Sequence, residues 1–197
     1  MDSSPPITGF RDGRAWRIGD DAEVSWIKDG TWATKAITSA IPPVFETYAT
    51  LELPEHWPRE QQDRHDAAVI RLLTAHAARQ PWWLGYLDTG AYDIVFANAP
   101  RTTLYASWKY VLVEAGPRQA ASWRAGDWTL WKGPLPDLMF PADRSWLVST
   151  LWDDDWTCIG GRLALIDDLL HDLELGPRAR RVNVGDDDAT PPGHVAI

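Results

Sequence analysis

Apolar positions along this chain change period several times, and each change marks an element. Between Ser145 and Gly161, Trp146, Val148, Thr150 and Trp152 alternate with Leu147, Ser149 and Leu151. This period-two run of β-formers with two apolar faces predicts a strand inside a sheet. Asp153, Asp154 and Asp155 interrupt it as a turn, because adjacent carboxylates repel one another and compete for backbone N–H groups. Trp156 to Ile159 resumes the apolar run, and Gly160-Gly161 predicts a tight corner into a helix. From Arg162 the period lengthens: Leu163, Ile166, Leu170 and Leu173 form a stripe widened by Leu165 and Leu169, with Asp167, Asp168 and His171 opposite. Gly176-Pro177 is the expected stop, since Gly takes the left-handed conformation and Pro cannot continue a helix.

Upstream, residues 1–20 are rich in Pro, Gly and polar side chains and predict an irregular arm. Val24 to Ile27 and Thr31 to Ile37 flank Asp29-Gly30 and predict a hairpin, because a type I′ turn needs positive φ at both central residues. Phe45 to Leu53 reads as a strand. His65, Val69, Leu72 and His76 recur at helical spacing and predict a helix from Arg59 to Ala78. Trp82 to Leu87 and Tyr92 to Phe96, across Asp88-Thr89-Gly90, predict a second hairpin. Leu104-Tyr105 and Lys109 to Glu114 are further strands, and Pro117 opens a short helix reaching Arg124. Gly133 to Asp143, with Pro134, Pro136 and Pro141, predicts a surface crossing that lays Leu138, Met139 and Phe140 on the core.

No internal repeat is present, and the element order is not the regular βα alternation of a doubly wound fold. The expected class is α+β: a single domain over residues 21–182, largely antiparallel, with two main helices and one short helix on one face of the sheet. Residues 183–197 form a polar tail.

Length and the 45% hydrophobic content fit one sizeable core. The single cysteine, Cys158, rules out an intrachain disulfide and a cysteine-rich zinc site. The start MDSSPP lacks the basic and apolar regions of a signal peptide, and no apolar run reaches about 18 residues, so a cytoplasmic location is expected. A net charge of −9 weighs against nucleic acid or anionic membrane as partner and would suit a basic protein, while the plainer reading is an acidic surface that keeps the protein soluble. The 13 tryptophans are too many to place in the core without remainder, so some are expected on a flat recognition surface, with Trp82, Trp83, Trp128 and Trp131 as candidate anchors. The competing reading is that Trp replaces Phe, of which there are 4, as the core aromatic.

Asp153, Asp154 and Asp155 are the first candidates for a ligand. Three consecutive carboxylates do not converge on one point, however, and no calcium-loop pattern follows, so no metal is expected. Gly160-Gly161 lacks any phosphate-loop signature. His65 and His76 share a helical face but stand about 16 Å apart at ~1.5 Å per residue, too far to share a metal. Ser145 and Ser149 have no recognisable base, and Cys158 lies in an apolar run where a thiol is inert. Glu46, Glu52, Asp88 and Glu114 are the carboxylates from which an acid–base pair would have to come. No cofactor signature is present, and oligomeric state stays open.

Asp143, Arg144, Ser145, Trp146, Asp153, Asp155, Gly160, Gly161, Leu165 and Ile166 carry a resemblance. The stretch 141–170 resembles a C-terminal module of uncharacterised bacterial proteins: acidic-Arg-Ser-Trp, an apolar strand, an acidic turn, Gly-Gly and a Leu/Ile helix. The resemblance implies no activity. Where that pattern often has Ser after the glycines, this chain has Arg162, which loses a helix N-cap. The functional expectation is a non-catalytic, toxin-neutralising or regulatory protein that binds a protein partner through an acidic, Trp-rich surface. The alternative is a small-molecule or glycan binder, or an enzyme, with an aromatic-walled cleft and one or two carboxylates.

Overall fold

The computed structural model describes residues 6–31, 37–53, 58–77, 79–90, 94–105, 107–124, 133–151 and 155–183. Its strands are β1 (Thr8–Arg11), β2 (Arg14–Arg17), β3 (Thr47–Glu52), β4 (Trp82–Leu87), β5 (Thr102–Leu104), β6 (Trp108–Ala115), β7 (Leu138–Pro141), β8 (Leu147–Ser149), β9 (Trp156–Gly161) and β10 (Ala179–Val182). Its α-helices are α1 (Asp21–Lys28), α2 (Arg59–Ala77), α3 (Pro117–Ser122) and α4 (Leu163–His171). The fold is α+β. Eight strands form one sheet in the order β10-β3-β9-β8-β7-β4-β6-β5, antiparallel at every pairing.

Alternation along the strands builds two cores. Ala49, Leu51, Trp82, Leu84, Tyr86, Val111, Val113, Met139, Val148 and Ile159 point to one face, where α2 adds Val69 and Leu73 and α4 adds Leu165, Ile166 and Leu169. Tyr48, Trp83, Tyr110, Leu112, Leu138, Phe140, Leu147, Trp156 and Cys158 point to the other, covered by Val24 and Ile27 of α1 and by Ala40 and Ile41. Cover therefore lies on both faces, not on one as expected. Because both parities of the strands are apolar, an uncovered face would expose most of a core.

The sequence contains two Asp-Gly pairs, and the structure uses the other one as its hairpin. Asp12 (φ 51°) and Gly13 (φ 76°) both have the positive φ of a type I′ turn and join β1 to β2, so residues 8–17 are a hairpin and not an irregular arm. Trp16 and Ile18 of this segment are buried, and Gly19 N–H donates to Leu112 O at 2.8 Å. At Asp29 the backbone is right-handed helical (φ −72°), because it closes α1. Helix wins over strand here through a capping box: Asp20 Oδ1 accepts from Ala22 N at 2.8 Å and Glu23 Oε2 from Asp20 N at 2.9 Å.

Three other expectations change. β6 and β7 take the two sides of β4 and Val95 and Phe96 lie in a turn, so the second hairpin does not form; Tyr92 and Asp93 lie outside the described residues. Residues 133–143 are no surface crossing, since β7 lies inside the sheet between β4 and β8. α4 stops at His171, because Asp172 Oδ1 accepts from Glu174 N at 2.9 Å and Leu175 N at 3.1 Å, a local turn that replaces helical bonds and leaves Leu173 97% exposed.

His65 of α2 is buried, and its Nδ1 lies 3.1 Å from the Arg178 guanidinium, which makes that nitrogen the acceptor. Burial first, and the Arg178 charge second, push the imidazole down to about 3. The unfolded chain takes up this proton near the ordinary value of 6.5, before the folded one. Stability from His65 is therefore complete above pH 6.5 and lost as pH falls toward 3. In urea titrations, wild type is expected to lose stability against His65→Asn by up to about 1.4 kcal/mol per pH unit between pH 6 and 5. A constant difference would contradict this account.

Gly160 lies within β9, not at a corner. A Cβ there would stand 2.6 Å from Phe45 Cδ2 and 2.9 Å from Ile41 Cδ1, so the glycine is required by close packing of the covering loop. Gly160→Val should cost about 1–3 kcal/mol, read as a lowered urea midpoint at unchanged m-value.

Candidate functional site

At the Gly161 end of β9 the structure gathers a shallow cleft. It encloses about 90 Å³ and is lined by His76, Asp143, Ser145, Trp146, Arg162 and Leu165. Three elements position these groups. The β7–β8 connection supplies Asp143 to Trp146 and is pinned from below: Ala142 N donates to Pro81 O at 3.0 Å, Asp143 N to Gln80 Oε1 at 2.9 Å and Ser145 N to Asp143 Oδ1 at 3.0 Å. Arg144 takes a left-handed conformation (φ 56°), so the loop holds a backbone strain that its neighbours fix in place. The start of α4 supplies Arg162 and Leu165, and the last turn of α2 supplies His76.

Gly161 lets these elements meet, since a Cβ there would stand 2.8 Å from Leu165 Cδ2 and 3.2 Å from Trp146 Cβ. Arg162 precedes α4 without a side-chain cap, and the orphan N–H of Leu163 is taken instead by Glu46 Oε2 at 3.0 Å. That bond ties the loop before β3 to the cleft. Val44 and Leu163 are exposed apolar residues on the two segments that this bond joins, whereas the Arg144 guanidinium lies 5.4 Å from the ring centre of half-buried Trp26, which packs against the core of the other sheet face.

The electrostatics are mixed. Burial pushes the Asp143 carboxyl up, but hydrogen bonds from Gln80 and Ser145 and the Arg162 charge outweigh it and hold the group below the usual carboxylate range. His76 Nε2 lies 2.9 Å from Asp168 Oδ2. The Ser145 hydroxyl makes no hydrogen bond to His76, so serine, imidazole and carboxylate share this cleft without the nucleophile–base contact that acyl transfer needs.

The residues singled out from sequence are placed as follows. Trp82 and Trp83 are 0% and 5% exposed, which corrects their reading as surface anchors: both are core. Trp82 packs edge-on to Trp146 at 4.9 Å, and Trp83 lies under the Arg17 guanidinium at 4.8 Å. Trp128, Trp131, Asp153 and Asp154 lie outside the described residues. Asp155 is half-buried at the other end of β9, about 20 Å from Gly161 at ~3.3 Å per residue, and its carbonyl accepts from Leu53 N at 2.6 Å. The cleft and Asp155 are thus separate. Of the eight tryptophans described, all but Trp26 and Trp108 are buried, so Trp serves chiefly as the core aromatic.

The carboxylates considered for acid–base work do not converge. Asp88 pairs with Arg101 at 2.7 Å and Glu114 with Arg17 at 3.5 Å. Glu52 on β3 and Glu114 on β6 are separated by about 24 Å, five strand spacings of ~4.8 Å. Among the described residues, no group of three or more His, Cys, Asp or Glu is placed to hold a metal ion. No helix among them is long and apolar enough to cross a membrane.

Asp143, Arg144, Ser145, Trp146, Gly161 and Leu165, all part of the sequence resemblance, come together here. Arg162, next to Gly161, completes the site with His76 and Glu46, and no spacing in the sequence links the last two to it. Compared with known proteins, the chain matches no family model, no curated protein and no solved structure.

The Trp82–Trp146 pair offers a direct check on packing. Trp82 Nε1 donates to Ala77 O at 3.2 Å, whereas buried Trp146 Nε1 has no acceptor among the described residues. Trp146→Phe therefore loses ring area alone, while Trp82→Phe also leaves a buried carbonyl without its donor. The second substitution should be the more destabilising by about 1 kcal/mol in urea denaturation.

Proposed function

We propose that the protein is a non-catalytic binding protein of the toxin-neutralising or regulatory kind, and that it engages a protein partner at the surface around the α4 start. The observation that carries this reading is the size and setting of the cleft. About 90 Å³ holds the tip of one side chain, well short of the ~300 Å³ or more of small-molecule pockets. Trp146 and Asp143 have the chemistry of an aromatic wall with a carboxylate, as a sugar or metabolite site would need, but the space favours a partner's side chain. Exposed Leu163, next to Arg162 of the cleft at the α4 start, adds the apolar contact that interfaces favour.

The net charge of −9 favours a basic partner by long-range attraction, and ionised Asp143 gives a basic side chain a landing point. Most of that excess sits outside the described residues, which carry 19 acidic and 17 basic side chains. Attraction would therefore be diffuse, and contact would be local.

Tagged wild type, Arg162→Asp and Leu163→Glu should be compared in pull-downs from native lysate. Both substitutions suit a helix start, so circular dichroism should not change. A stoichiometric partner held by wild type and lost by both variants supports the reading. A partner kept equally by all three removes the interface from this surface, and repeated recovery of the chain alone removes the partner.

A further inference from the structure

Two consecutive residues that line the cleft each bury a polar atom with no hydrogen-bond partner among the described residues: Ser145 its Oγ and Trp146 its indole Nε1. Trp146 is 1% exposed, and Trp82, packed edge-on to it at 4.9 Å, donates its own N–H elsewhere, to Ala77 O. An indole N–H only donates, so nothing but an acceptor can complete it. Folded chains leave few buried donors unmatched, and those few call for a water or a ligand.

The rest of the lining decides what group that acceptor belongs to. Arg162 offers donors only, and the Asp143 carboxylate, which takes Ser145 N–H at 3.0 Å, offers acceptors only. A carboxylate entering the cleft would answer Trp146 and Arg162 but stand against Asp143. An ammonium or guanidinium would answer Asp143 but stand against Arg162 and could accept nothing from Trp146. A primary carboxamide carries an acceptor at one corner and two donors at another of a single uncharged plane, so it meets all three. It also fits, since about 90 Å³ takes a group of roughly three or four non-hydrogen atoms.

We propose that the cleft is a carboxamide site: an Asn or Gln side chain of the partner accepts from Trp146 Nε1 through its carbonyl and donates to Asp143 through its amino group. This rests on the cleft being part of a protein interface, and names the side chain that enters it. Asp143 is exposed and can still face a basic residue beside that amide.

Acetamide is the probe, titrated into the intact nitrogen-15-labelled chain and followed by NMR at the Trp146 indole N–H. A ligand of so few atoms and ordinary efficiency has a dissociation constant of about 0.1 M or tighter, so a titration to about 0.5 M fills most of the site. The Trp146 indole proton should move downfield along a saturable curve, while those of Trp16 and Trp82, already bonded to Arg11 O and Ala77 O, stay in place. Acetate, methylammonium and ethanol should give no such curve. No saturable shift with acetamide leaves the cleft to water and overturns the inference, as does an equal response to any of the three controls. This titration uses no partner, so its failure and that of the pull-down are read separately. With a partner in hand, Trp146→Phe should weaken its binding about 10-fold, the loss of one hydrogen bond. Unchanged affinity takes the partner's side chain out of the cleft and overturns the assignment even where acetamide binds. If that variant fails to fold, the wild-type titration decides.

Discussion

Both faces of the eight-stranded sheet are buried, and this double burial governs the rest of the molecule. Sheets with one wet face alternate apolar with polar, whereas here residues of both parities on β4, β6, β7 and β9 are apolar. Each face must find cover from elements that the chain reaches only by long connections. α2 and α4 serve one face; α1 and the segment before β3 serve the other. The tryptophans follow from the same need. Trp82–Trp146 and Trp16–Trp123 meet edge to face at 4.9 and 4.7 Å, filling wide gaps between sheet and cover.

Deep cover also encloses polar groups, and each is handled differently. Asp66 and Arg124 form a buried ion pair at 3.0 Å, with Arg124 also reaching Gly133 O at 3.4 Å. His65 stays neutral and accepts from Arg178. Half-buried Asp137 accepts from the Leu87 amide at 2.8 Å, and burial raises its carboxyl to about 6. Neutralising a charge, pairing it or shifting its proton are the three routes open to a group taken from water, and this core uses all of them.

The cleft beside α4 follows from cover as well. α4 can approach β9 closely because Gly161 has no side chain, and the Phe45 ring can lie on the sheet because Gly160 has none. Read along the chain, this glycine pair looked like a corner. In space it sits inside a strand and lets two covering elements meet the β7–β8 loop. The residues gathered there come from four stretches, at Glu46, at His76, from Asp143 to Trp146 and from Gly161 to Leu165, which explains why only the last two could be picked out beforehand.

What the sequence by itself determined was local: α2 and the start of α4 from helical periodicity, β3, β6 and β9 from apolar runs, and the α+β class from their order. Period and propensity act within a few residues, so these elements did not wait on the rest of the fold. Tertiary structure decided between local signals of equal strength. Two Asp-Gly pairs were available, and the one at Asp12 became the turn because Asp20 and Glu23 committed the other to a helix whose Val24 and Ile27 complete the second core. It also decided which tryptophans were anchors and which were core, since burial of Trp82 and Trp83 depends on helices and hairpins distant in sequence. Strand partners, the double cover and the pairing of His76 with Asp168 across 92 residues rest on the same fact: packing joins surfaces, and a surface is not a property of any one stretch.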